Sequence, residues 1–267
     1  MKKFILLLVL TITIIDQLSA EIPFVVIMYD VKTENTMGVF PPKRIVWANT
    51  IDKVKTLSAK AVVLKFFFDL PKEEDIYLVK SISTIPTFLQ ACINENDPSG
   101  NLLDSKFEIT VDKDYQNLLS GKMGWLPTKE LAQYAYDVSF VDISDINEIP
   151  IIEKYNNKYV KSLYFSILQY VFPELQIVDN VLVNKTKRVK LNQNSEMHVN
   201  YPKKDSIEYV SLCDVLNNKI DRKVFENKIV IIGYDGINSE KLLISTGKTN
   251  KHRVFIYGLY DMYNQLK

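Results

Sequence analysis

The sequence predicts an α/β fold: a single domain with a mainly parallel, helix-flanked sheet plus a β-hairpin insertion. Three observations carry that expectation. Short, nearly unbroken apolar runs recur at residues 22–29, 61–68, 85–93 and 228–233, the pattern of strands buried on both faces. Between the first three runs, apolar residues recur at helical spacing. Strand and helix in alternation build parallel βαβ units with right-handed crossovers.

Residues 22–29 (IPFVVIMY) open the sheet and run into Asp30. A polar loop with Gly38 and Pro41-Pro42 follows. From Arg44 onward Trp47, Ile51, Val54 and Leu57 share one helical face, with Asp52, Lys53 and Lys55 opposite. Residues 61–68 (AVVLKFFF) read as a second buried strand, interrupted by Lys65. Pro71 suits the first turn of a helix, where Glu73, Glu74 and Asp75 favour the N-terminus. Ile76, Val79 and Ile82 are its expected apolar stripe. Residues 85–93 (IPTFLQACI) are the third strand, and the polar, turn-rich stretch 94–122 is an insertion loop. Then come a short helix at 127–136, a strand at 138–143 and a helix at 158–171 carrying Tyr159, Leu163, Ile167 and Tyr170. Residues 175–191 alternate around Asn184-Lys185 as a β-hairpin does. A strand at 197–201, a short helix at 210–216 and the core strand 228–233 (KIVIIG) complete the series, and residues 254–266 close the chain. No repeat, low-complexity tract or linker divides it.

Composition excludes several classes of function. Among 267 residues, Lys+Arg number 33 and Asp+Glu 32, a net charge of +1, so there is no electrostatic footprint for nucleic acid. Only four of the basic residues are arginines (Arg44, Arg188, Arg222, Arg253), and arginine is the usual reader of phosphate. With two histidines and two cysteines, neither a His-rich metal site nor a disulfide scaffold is available.

Residues 1–20 (MKKFILLLVLTITIIDQLSA) set Lys2 and Lys3 before an apolar stretch and end in Leu18-Ser19-Ala20. This is the layout of a secretory signal cleaved after Ala20. The stretch from Phe4 to Ile15 spans about 18 Å as a helix, short of a roughly 30 Å hydrocarbon core. The remainder, 21–267, is expected to be secreted or periplasmic with no membrane span. There a Cys92–Cys213 disulfide is chemically permitted; two buried free thiols are the alternative. Asn184-Lys185-Thr186 fits the glycosylation sequon and is read as a chance match in an Asn-rich chain.

A series of short motifs runs along the chain. FVVIMYD (24–30) precedes Gly38-Val39-Phe40-Pro41-Pro42-Lys43-Arg44, and Ala59-Lys60-Ala61-Val62-Val63 precedes Phe68, Pro71 and Asp75. Residues 131–141, then His198-Val199-Asn200-Tyr201, Val210-Ser211-Leu212-Cys213-Asp214-Val215-Leu216 and Asn227-Lys228-Ile229-Val230-Ile231-Ile232-Gly233 follow. In this order they resemble the type-2 CHASE domain (cyclases/histidine kinases associated sensory extracellular), over roughly residues 22–266. The resemblance implies an extracytoplasmic sensory, ligand-binding domain. With no output module or membrane helix recognisable, it is expected to act through a partner protein. The alternative is a structural or interaction domain of the cell envelope that kept the scaffold and lost the ligand site. Some positions depart from the family: its acid inside the second strand is Lys65 here, the second acid after the first strand is Val31, and its late Asp…Thr-Pro segment is reduced to Glu240 and Thr246-Gly247.

In open parallel sheets, ligands bind beyond the carboxyl ends of the strands. Asp30, Arg44 and Lys65 are therefore the expected ligand-binding residues, lining one polar pocket in which Lys65 attracts a carboxylate or phosphate. The competing expectations are that Lys65 pairs with Asp30 or snorkels to solvent. Ile232-Gly233-Tyr234-Asp235-Gly236 lacks both nucleotide-loop spacings, so Gly233 and Gly236 are read as turn glycines and no cofactor is expected. No nucleophile elbow or zinc-protease motif is present, so no catalytic residue and no enzyme activity are expected. His198 reads as structural, and His252, within KTNKHR, as part of a solvated basic loop.

Overall fold

The computed structural model describes residues 22–203 and 207–267. The expected signal segment 1–20 and its cleavage site lie outside the described residues. Among these, seven strands build the main sheet: β1 (Phe24–Asp30), β2 (Ala61–Leu64), β3 (Thr87–Ile93), β4 (Gly124–Trp125), β5 (Asp137–Phe140), β6 (Val210–Ser211) and β7 (Ile229–Asp235). The parallel strands lie in the order β6-β1-β7-β2-β3-β5, and β4 alone runs antiparallel, pairing Trp125 with Cys92 at the carboxyl end of β3. The helices are α1 (Val31–Met37), α2 (Arg44–Thr56), α3 (Asp75–Ile82), α4 (Lys129–Tyr134), α5 (Leu163–Val171), α6 (Leu212–Leu216) and α7 (Lys251–Leu266).

Side chains alternate across a strand, and both faces here are apolar. Ile27, Val62, Leu64, Leu89, Val230 and Ile232 join Trp47, Ile51, Leu78, Leu131 and Val215 of α2, α3, α4 and α6. Val26, Met28, Val63, Phe88, Ile229 and Ile231 join Leu163, Ile167, Phe255 and Leu259 of α5 and α7. Each such side chain contributes about 1.5–3 kcal/mol on burial, which is why the strands read as unbroken apolar runs. The connections matter for function. The chain leaves β1 and β2 toward the α2/α3 face. It leaves β7, which lies between them, toward α7 on the opposite face, through the hairpin Lys241–Ile244/Gly247–Asn250. Neighbouring strands β7 and β2 therefore part at their carboxyl ends, a topological switch point.

Several local expectations are corrected. Gly233 lies inside β7 and is no turn glycine; a Cβ there would come within 3.2 Å of His252 Nδ1 and of Met28 Sδ, so its absence lets the start of α7 lie against the sheet. α3 begins at Asp75 and turns Leu78 and Ile82 inward, leaving Ile76 exposed. Its register is set by Asp75, which faces inward to meet Arg44. The segment 158–171 starts as a strand, Lys158–Lys161, paired antiparallel with Ile152–Tyr155. Asn156 and Asn157, both at positive φ (47° and 62°), make the turn, as two-residue hairpins require. Only from Leu163 does the helix run, its Ser162 cap accepting the Phe165 N–H. Two hairpins stand where one was expected: Gln176–Val178, Val181–Asn184 and Lys187–Lys190 form a three-stranded sheet, turning at Asp179-Asn180 and again at Lys185. The 94–122 stretch is largely irregular, but Glu108–Ile109 and Ser120–Gly121 add edges to the 152–161 hairpin.

The Cys92–Cys213 disulfide is not formed; both thiols are free. Cys92 lies on β3, whereas Cys213 follows β6, and three strands stand between those two in the sheet. At about 4.8 Å per strand, that spacing is well beyond disulfide reach. Asn184 is buried and its amide donates to the Leu266 carbonyl at 2.7 Å, so the sequon is inaccessible to a glycan.

Candidate functional site

A cavity of about 620 Å³ opens at the β7/β2 switch point, beyond the carboxyl ends of β2, β3 and β5, a size typical of small-molecule sites. Lys65 follows directly on β2, and its backbone N–H extends the ladder to Ile232 O at 3.0 Å. Continuing the alternation from Val63, its side chain points to the α7 face. Nζ donates to Gln90 Oε1 at 2.7 Å and lies 4.9 Å from the centre of the Phe255 ring. Among the described residues no carboxylate approaches the ammonium within salt-bridge distance. Burial, reinforced by the charge of Lys251, brings its pKa down from 10.5 to about 7, because a dry environment disfavours the charged amine.

Aromatic rings form much of the wall. Trp47 stacks on Phe66 at 4.5 Å, Phe40 lies 5.4 Å from Phe66, and Phe67 meets Trp125 edge-on at 5.2 Å. His252, expected on a solvated loop, instead sits in the first turn of α7 beside Phe66, at 5.7 Å. Asn250 caps this helix and accepts the His252 backbone N–H. The Nδ1 of His252 is buried with no hydrogen-bond partner. Burial first, and then the charges of Lys65 and Lys251, lower its pKa from 6.5 to about 3, so the imidazole is neutral.

Other cations at this cavity are already paired. Arg44 donates from Nε to Asp75 at 3.0 Å and from its terminal nitrogen to Leu70 O, with its guanidinium 4.4 Å over Phe68. Lys251 pairs with Glu240 at 2.9 Å. Asp142 lines the cavity and accepts the Ile93 N–H at 2.9 Å; burial raises its pKa. Beside it, the Glu153 carboxyl is fully buried, with no donor to either oxygen and the Asp142 carboxyl within hydrogen-bond reach. Burial and then the Asp142 charge drive its pKa well up, which holds Glu153 protonated. A group whose folded pKa is raised loses stability as pH climbs through that value. Glu153→Gln is therefore expected to raise the thermal midpoint at neutral pH, with the gain fading below about pH 4.5. Melting curves of the two proteins across pH check this. Cys92 also lines the cavity, and burial pushes its thiol up to about 12, so it stays un-ionised.

Of the three expected residues, the structure brings Arg44 and Lys65 to this cavity and sends Asp30 elsewhere. Asp30 caps α1: its Oδ1 accepts from Thr33 N (2.9 Å), Thr33 Oγ1 (2.7 Å) and Ser211 Oγ (2.7 Å). It is not among the cavity-lining residues. Lys65 neither pairs with Asp30 nor reaches solvent. Asp30→Ala should cost about 1–2 kcal/mol, as lost caps do, and leave ligand uptake by the cavity unchanged; denaturant unfolding and a binding titration on the same protein test both halves.

The layered sheet and its switch-point cavity define a doubly wound α/β domain. The sequence pattern of the CHASE2 domain matches residues 4–251. The chain belongs to this family of extracellular sensory domains. No curated protein and no solved structure matches it. No helix among the described residues is long and apolar enough to cross a membrane.

Proposed function

We propose that this chain is an extracytoplasmic sensor domain, non-catalytic, that takes a small ligand with an anionic group into the switch-point cavity and relays its occupancy to a partner protein. One observation carries the reading: the Lys65 ammonium is buried in the cavity wall without a counter-ion. An uncompensated buried charge is destabilising, and an anionic ligand group beside it would relieve that penalty. Family membership supports the sensory role; the aromatic walls supply apolar contact area for the rest of the ligand.

The test uses a convenience of this sequence. The chain has two tryptophans, Trp47 and Trp125, and both line the cavity. Titration of the purified protein with a panel of small carboxylates, phosphates and amino acids should give a saturable change in indole emission for some member. The same ligand at 100 times its Kd adds about 2.7 kcal/mol, a rise in Tm of roughly 5–10 °C for a chain of this length. Lys65→Ala should remove both signals. Silence across the panel, or binding indifferent to Lys65, would overturn the assignment.

A further inference from the structure

The cavity does not present a lone cation. Asp142 and Lys65 both line it. They lie beyond the 4.0 Å of a salt bridge, yet close enough for Asp142 to favour the charged form of Lys65. The remaining charges cancel in place. Arg44 is matched by Asp75 and Lys251 by Glu240, while Glu153 and His252 are held neutral by burial. What remains is the Lys65 amine, held by Gln90, and the Asp142 carboxyl, held by the Ile93 N–H and beside Glu153, lining one cavity without pairing with each other.

This pattern selects by charge. A plain anion is drawn by Lys65 and repelled by Asp142; a doubly charged phosphate enlarges both terms and resolves neither; a plain cation meets the reverse conflict. A zwitterion places each of its charges against the opposite one and desolvates neither without compensation. The Gln90 carbonyl oxygen, which already holds Lys65, adds a polar group near the same end. Trp47, Phe66, Phe40, Phe67 and Trp125 make the rest of the wall flat and apolar. Resting on the reading that this cavity is the ligand site, we infer that it takes an amino-acid-like zwitterion with an aromatic or similarly flat apolar side chain, its carboxylate toward Lys65 and its ammonium toward Asp142.

Three probes that share one side chain and differ in which charge is blocked test this: L-phenylalanine, N-acetyl-L-phenylalanine and L-phenylalaninamide. Binding is read by indole emission and by calorimetry on the purified chain. Phenylalanine is expected to saturate, and each blocked form to bind at least about tenfold more weakly. Lys65→Met should abolish saturation by phenylalanine, and Asp142→Asn should weaken it at least about tenfold. Asparagine keeps an acceptor for the Ile93 N–H, and circular dichroism confirms that both variants fold. Equal binding of the acetylated probe and phenylalanine would overturn the zwitterion while leaving the ligand site standing. Silence of all three probes where another anion binds does the same. Silence to the whole panel removes both readings.

Discussion

Methionine in place of Lys65 is expected to make the protein more stable and to abolish ligand uptake in one step. The amine titrates near 7 in the folded chain against 10.5 unfolded. Below pH 7 both states carry the proton and the burial penalty is present in full. Between 7 and 10.5 only the unfolded chain is protonated, so stability climbs with pH; above 10.5 the penalty is gone. The drop in pKa corresponds to a penalty approaching about 5 kcal/mol. Removing the amine leaves the Gln90 oxygen without its donor, a loss of about 1–3 kcal/mol where water does not replace it. The net gain should be about 2–4 kcal/mol at pH 6, or roughly 5–10 °C in Tm, shrinking toward pH 10. Paired melts at pH 6 and pH 10 measure it. A variant no more stable than its parent at pH 6 would show that Lys65 is already neutralised in the folded chain.

The second large effect lies on the acid side. His252 has its folded pKa near 3 against 6.5, so as pH falls through that window the unfolded chain takes up a proton that the folded one refuses. Stability is whole above 6.5 and is lost progressively toward 3. The full difference would be about 5 kcal/mol; His252 lines the cavity and is only half-buried, which reduces the expected loss to about 2–4 kcal/mol. Carboxylates titrate in the same range, so the contrast with His252→Phe isolates the contribution. Urea unfolding at pH 7, 5 and 4 should show the parent falling faster than the variant. Parallel losses would mean that the imidazole reaches water and titrates normally.

How much of this was legible differs residue by residue. The sheet was, because strands buried on both faces must be apolar throughout. Lys65 announced itself as the one charge in AVVLKFFF. Gln90 carried a similar signal in IPTFLQACI, the one amide side chain in a buried strand, and lines the same cavity. Asp30 had a local explanation within reach: an Asp at the junction of an apolar strand and a polar stretch is a favoured helix N-cap, and the cap is what the structure shows. His252 could not be read locally. Its neighbours in KTNKHR are charged, and its burial depends on Gly233, nineteen residues earlier, leaving room for the helix. The hairpin at Asn156-Asn157 escaped because helical and strand spacing both fit 158–171, and the paired asparagines that break the tie lie just before it. Asp142 and Glu153 meet only through tertiary packing, and their shared environment left no periodic trace.

The closing helix ties two distant places together. α7 begins with Lys251 and His252 at the cavity and ends at Leu266, whose carbonyl is held by Asn184 of the three-stranded sheet. Sixteen residues of helix make a rod about 24 Å long, seated on the sheet along its apolar face. His252 at the crevice and the Leu266 carbonyl gripped by Asn184 thus belong to one continuous helix, a single axle laid between the cavity and the far rim.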